Sequence, residues 1–413
     1  MPIHVPQAMR ITILLLLLSA AWAPAVMAEV SWEEDGWLNS QLGRERLEAG
    51  DEFGCSGIPG LSWQNDPGAV GIECRKYITE RIDASKWAKN PISLGLPSDL
   101  SNADHHLLST QGWKVHGVEN GLMQSVWHDS EDYPEFNEDW YNMGERGGSL
   151  EKGISDVSQL EQAISEGGLV NLYWIGKVDG VTIRHDSDVI GLLEDSSVWF
   201  TTWGEAWSYW TVDRCNSFNH SIEGNILSFT FSETVACSSA ERDAWNVPIT
   251  WIIDVNNTKV VDIEDIEEID EDQRNTKEGW RIDENGSILL SIRSGVSVNI
   301  TLENESDYDI VGRTQFFNGF DTAVTITGHE TEDLFNWYRR FEGHDDLRFT
   351  WLVTPRGIDD SWKWLPLAGI LVLIGSVAGI YLVLRSDTQT PPGSRSLDAL
   401  AEEGEYRWAR KSE

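Results

Sequence analysis

The chain has 413 residues, of which 31 are Lys or Arg and 68 are Asp or Glu, giving a formal net charge of −37. Its 40% hydrophobic content is enough to build cores, which excludes wholesale disorder. A field of this sign repels phosphate backbones, so a basic nucleic-acid binder is excluded and no nucleic-acid partner is expected.

Residues 1–28 read as a secretory signal peptide. Arg10 supplies the positive start, Ile11 to Leu18 the apolar core, and Ala25-Val26-Met27-Ala28 a small-x-small cleavage site. From 29 to 215 helix-like and strand-like segments alternate. Helices are expected over 33–48, 69–87, 99–110, 156–166 and 205–212, and strands over 91–96, 113–116, 169–175 and 198–203. Ser155 or Asp156 caps the fourth helix and Gly167-Gly168 ends it. This alternation predicts an α/β domain with parallel strands. Trp203, Trp207 and Trp210 fall on one helix face, the spacing of a core-facing stripe.

From 216 to 361 the pattern changes to short strands with turn signals. Strands are expected over 226–231, 249–255, 288–293, 296–302, 322–327 and 347–354, with Asn285-Gly286 as a hairpin turn. The expectation is a membrane-proximal β-sandwich. The acidic run Asp262 to Asp272 reads as a solvated linker. Leu365 to Leu384 is apolar and uncharged, with Trp362, Trp364 and Tyr381 near its ends and Arg385 directly after. It reads as a single transmembrane helix, with 385–413 as a cytoplasmic tail. The expected location is the cell membrane, single-pass, ectodomain outside. Gly375 and Gly379 form a G-x-x-x-G step suited to a homodimer.

Export makes disulfides the default for Cys55, Cys74, Cys215 and Cys237. Closing the two shortest loops pairs Cys55 with Cys74 and Cys215 with Cys237. Glycosylation sequons occur at Asn219, Asn256, Asn285, Asn299 and Asn304, all in the second half of the ectodomain.

Candidate chemistry concentrates in 51–141. Asp51-Glu52 presents adjacent carboxylates. Trp127, Trp140 and Tyr141 lie in an acid-rich aromatic stretch, where flat rings beside acceptors suit sugar binding. A serine hydrolase is not supported, because no G-x-S-x-G elbow occurs, and no phosphate loop is present.

The order of these segments, from Gly50-Asp51-Glu52-Phe53-Gly54 through 91–96 and Gly112-Trp113-Lys114-Val115-His116-Gly117 to Val198-Trp199-Phe200-Thr201-Thr202-Trp203-Gly204-Glu205, resembles the polysaccharide deacetylase (NodB-like) family. The resemblance covers roughly 51–212 and implies a distorted β/α barrel acting on N-acetylated glycans. It implies Asp51 and Glu52 as catalytic acids, and Glu52, His116 and His128 as ligands of one zinc-like divalent ion that activates water. The sequence departs from the family's pattern in three places. Asp51-Glu52 is preceded by the polar Leu47-Glu48-Ala49-Gly50, where the family has an apolar strand. His116 is followed four residues later by Asn120, and Tyr173-Trp174-Ile175-Gly176 carries no histidine. Two readings follow from the resemblance, a metal-dependent carbohydrate deacetylase and a degenerate relative that only binds glycans. The alternative is a non-enzymatic structural or adhesive surface protein.

Overall fold

The structure is a computed structural model. It describes residues 36–118, 126, 128–135, 138–151, 156–176, 187–211, 216–233, 245–256 and 258–356, with Ile374, Gly375, Ala378, Gly379, Tyr381 and Arg385. The expected signal peptide, Trp127, Cys215 and Cys237 lie outside the described residues. The chain divides into two units, one of residues 1–31 with 358–413 and one of residues 32–357.

The larger unit is built on nine parallel strands. In chain order these are β1 (Glu52–Cys55), β2 (Ser93–Leu96), β3 (Val115–Val118), β4 (Tyr141–Asn142), β5 (Gly147–Ser149), β6 (Gly168–Ile175), β7 (Trp199–Thr201), and, after an insertion, β16 (Thr322–Thr331) and β17 (Phe349–Val353). The sheet order is β4-β3-β2-β1-β17-β16-β6-β5, with β7 also pairing β16. Its ends are the sequence neighbours β4 and β5, so the sheet wraps as a half-barrel. Helices α1 (Gln41–Ala49), α2 (Pro67–Thr79), α3 (Asn102–Thr110), α4 (Val157–Glu166), α5 (Ser187–Asp195), α6 (Trp203–Thr211) and α7 (Leu334–Tyr338) complete the unit. Local chemistry sets their ends. Asp66 accepts from Ala69 N with Pro67 at the first helical position of α2, Ser101 and Asp104 form a capping box on α3, and Asp156 caps α4. Every residue of α6 is buried, including Trp203, Trp207 and Trp210, as their spacing predicts.

The insertion holds two four-stranded antiparallel sheets, β12-β13-β10-β15 and β11-β14-β9-β8. Their strands are β8 (Asn216–Glu223), β9 (Ile226–Glu233), β10 (Ile249–Asp254), β11 (Val260–Ile263), β12 (Gly279–Ile282), β13 (Ile288–Ile292), β14 (Ser297–Leu302) and β15 (Asp309–Arg313). Trp251 of one sheet packs on Phe218 and Phe231 of the other, at ring separations of 4.5 and 5.1 Å. The Asn285-Gly286 turn joins β12 to β13, with Ile282 opposite Ile288. The acidic run is not a free linker. Ile263 and Ile269 are buried in the core and Ile266 packs against it, so the run is anchored at every third residue while its acids between 264 and 271 face outward.

Two expectations of fold class need correction. Strands Thr322–Thr331 and Phe349–Val353 belong to the parallel sheet, where β17 lies between β1 and β16. Their near-continuous apolar and threonine runs are those of strands buried on both faces. The β-sandwich is therefore an insertion into the α/β unit and does not follow it. The single transmembrane helix is also overturned. A span needs about 20 continuous helical residues. No helix among the described residues is long and apolar enough to cross a membrane. Within 365–385 the described helical positions are Ile374, Gly375, Ala378, Gly379, Tyr381 and Arg385, and the apolar composition of the stretch alone does not make a span.

Candidate functional site

Side chains alternate across the half-barrel, and the inward rows define its chemistry. One register row carries Glu52, Thr350, Thr327 and Tyr173 across β1, β17, β16 and β6. Glu52 is fully buried. It accepts hydrogen bonds from Gly204 N at 2.8 Å and Thr350 Oγ1 at 3.2 Å, and a short one from Ser93 Oγ. Burial pushes its carboxyl up to about 7, only partly opposed by these donors.

Asp51, its neighbour, points the other way. Arg46 of α1 forks onto it with contacts of 2.8 and 2.9 Å. Phe349 N donates at 3.1 Å and Trp351 Nε1 at 2.7 Å. Burial works against the charge of Arg46, but Asp51 and then Tyr338 together more than offset it and leave the guanidinium above its ordinary pKa. Four donors occupy the carboxylate, so Asp51 is an internal anchor between α1 and β17. The adjacent acids therefore do not form a pair, because consecutive strand residues face opposite sides.

The three residues expected around a metal ion sit in three settings. Glu52 is inside the half-barrel. His116 of β3 faces outward, stacked on Trp140 at 4.6 Å and 5.2 Å from the His105 ring. Its burial lowers its pKa to about 3. His128 donates from Nε2 to Asn142 O at 2.7 Å and stacks on Tyr141 at 5.2 Å. Among the described residues, no group of three or more His, Cys, Asp or Glu is placed to hold a metal ion. The residues expected to bind substrate are likewise engaged in packing. Trp140 lies on His116, and Tyr141 is buried with its hydroxyl donating to Asp132 O at 3.3 Å. The expected disulfide between Cys55 and Cys74 is present and ties β1 to α2, with Cα atoms 5.9 Å apart. All five sequon asparagines are exposed.

The interior is completed by residues that sequence reasoning passed over. Trp203 enters the half-barrel, donating from its backbone to Thr350 Oγ1 at 3.0 Å and from Nε1 to Asn171 Oδ1 at 2.9 Å. It fits because position 117 is glycine, where a Cβ would lie 2.3 Å from the indole. Asn171 also accepts from Thr325 and Thr327 at 2.8 and 3.2 Å. Toward the C-terminal strand ends, where β/α barrels carry their sites, lie Ser56, Tyr173 and His329. His329 is 3% exposed, its Nδ1 has no hydrogen-bond partner among the described residues, and burial lowers its pKa to about 3. Its Nδ1 and Ser56 Oγ both border Gly95, at 3.2 and 2.6 Å from where a Cβ would stand. Tyr173 packs edge-on to His329 at 6.3 Å, and burial and then Glu145 raise its pKa. His329 continues the Thr325, Thr327 row two residues beyond the strand expected over 322–327, because the strand runs on to Thr331 and belongs to the parallel sheet.

Comparison with protein-family models, with curated proteins and with solved structures returns no match for this chain.

Proposed function

We propose that this chain is an exported, carbohydrate-directed protein that binds glycans and does not use Asp51 and Glu52 as catalytic acids. The observation that carries the reading is the state of the two acids. Asp51 accepts from four donors, and Glu52 accepts from Ser93, Gly204 N and Thr350, and both carboxylates are fully buried away from the surface. Export is supported by the Cys55–Cys74 disulfide, a bond that persists in oxidising compartments, and by five exposed sequons. The strand-end cluster of Ser56, Tyr173 and His329 mixes donors and acceptors, the chemistry that sugar hydroxyls require, with Tyr173 as its half-buried member.

The test pairs two measurements on the purified full chain. One is binding to an oligosaccharide panel by calorimetry. The other is acetate release from N-acetylated oligosaccharides, with and without added zinc. Binding without acetate release is the expected result. Zinc-dependent acetate release that is lost in His116→Ala would overturn it in favour of the deacetylase.

A further inference from the structure

We infer that the groove between α1 and α7 is a saccharide subsite. The inference rests on the glycan-binding reading above and adds to it a place and a ligand class. The groove has a volume of about 470 Å³, within the range of small-molecule sites, and is lined by Gln41, Leu42, Glu45, Phe335, Tyr338, Arg339 and Glu342.

Three features select an uncharged sugar. First, Phe335 presents its ring to solvent, with 66% of its surface exposed. Set at the rim of a concave groove, its flat apolar face matches the C–H face of a pyranose. Second, Tyr338 stands beside it and is held in place from below. The Arg46 guanidinium lies 4.3 Å from the Tyr338 ring centroid, and Arg46 is itself clamped by Asp51. The buried ion pair therefore fixes one wall of the groove, and a prearranged wall spares the ligand an ordering cost. Third, the polar rim offers both hydrogen-bonding senses. Glu45 and Glu342 accept, Arg339 donates, and Gln41 does both while donating to Glu45 at 2.7 Å. A sugar hydroxyl is also both donor and acceptor.

Other occupants fit less well. An anion meets two carboxylates against one guanidinium, within a chain of net charge −37. An extended peptide needs a free strand edge, and this wall is made of helices. An acyl chain would strand four polar side chains away from water.

The test uses the full chain with N-acetylglucosamine tetramer and glucose tetramer as probes, read by calorimetry. Phe335→Ala and Arg339→Gln change exposed side chains outside the core, and circular dichroism checks that both variants fold. We expect each to weaken binding at least tenfold, and Asn304→Gln, elsewhere on the surface, to leave it unchanged. If the wild type binds a probe and both groove variants bind it equally well, the subsite is overturned while the glycan-binding reading stands. If the wild type binds neither probe, the subsite falls together with that reading.

Discussion

At the residue scale, two adjacent carboxylates of one sequence motif do opposite work. Asp51 is spent on Arg46, Phe349 N and Trp351. Asp51→Asn leaves Arg46 buried without its counter-charge, a change that typically costs about 3–5 kcal/mol, and should appear as a large fall in the denaturant midpoint. Glu52 has a folded pKa raised to about 7 from 4.5. Its folded form holds the proton more tightly than the unfolded chain. Its contribution is therefore complete below about pH 4.5 and is lost as pH rises through 7. Relative to wild type, Glu52→Gln should gain stability between pH 5 and 8, by up to roughly 3 kcal/mol, read from unfolding curves across that window. His116 and His329 act in the reverse direction. Their pKa values are lowered to about 3, so the stability they contribute is present above about pH 6.5 and drains away as pH falls. Unfolding midpoints should therefore drop steeply below pH 6, and a profile flat down to pH 4 would contradict the burial of both rings.

At the scale of elements, the helices were the most legible part of the sequence. The cap at Asp156 acts over two or three residues, and α3, α4 and α6 stand close to where periodicity places them. The Asn285-Gly286 hairpin was legible for the same reason, since its turn chemistry is local. What the sequence hides is which strands pair. Thr322–Thr331 and Phe349–Val353 look like their antiparallel neighbours, because strand type says little about partner. Their place beside β1 is set by contacts some 300 residues apart, such as Phe349 N with Asp51. The site suffered from the same blindness, as His329 could not be joined to Ser56 without the sheet order. Gly117 shows how finely the interior is fitted. Gly117→Ala drives a methyl into the Trp203 ring, an overpacking that should cost about 1–3 kcal/mol. Trp203→Phe in the same background should recover part of that loss, a coupling that a double-mutant cycle on thermal unfolding can measure.

At the scale of the whole molecule, the net charge of −37 is a stability term. Like charges at this density repel one another, and salt screens them over about 10 Å at 0.1 M. The melting temperature should rise steadily from low salt to 1 M NaCl. A fall over that range would place the dominant electrostatics in attractive pairs such as Arg46–Asp51. The inserted sheets are also tied to the α/β unit. Trp199 Nε1 donates to Thr276 Oγ1 at 2.9 Å, Phe200 N to Arg274 O at 2.9 Å, and Trp210 Nε1 to Gln315 O at 2.7 Å.

The position of β17 carries a consequence for how such a chain is made. It is the last strand of the half-barrel to emerge, yet it sits in the middle of the sheet and supplies one of the two neighbours of β1. Until Phe349–Val353 arrives, β1 has an open flank, Arg46–Asp51 lacks the donors that complete it, and Trp174 faces no aromatic partner from β17. The N-terminal half, held by the β1–β4 pairings, its helices and the Cys55–Cys74 disulfide, therefore waits for a strand some 300 residues further along the chain. That makes completion of the half-barrel a late, all-or-nothing event of high contact order. A chain cut short before residue 349 lacks the strand that joins β1 to β16, and should be cleaved faster than the intact chain in limited proteolysis.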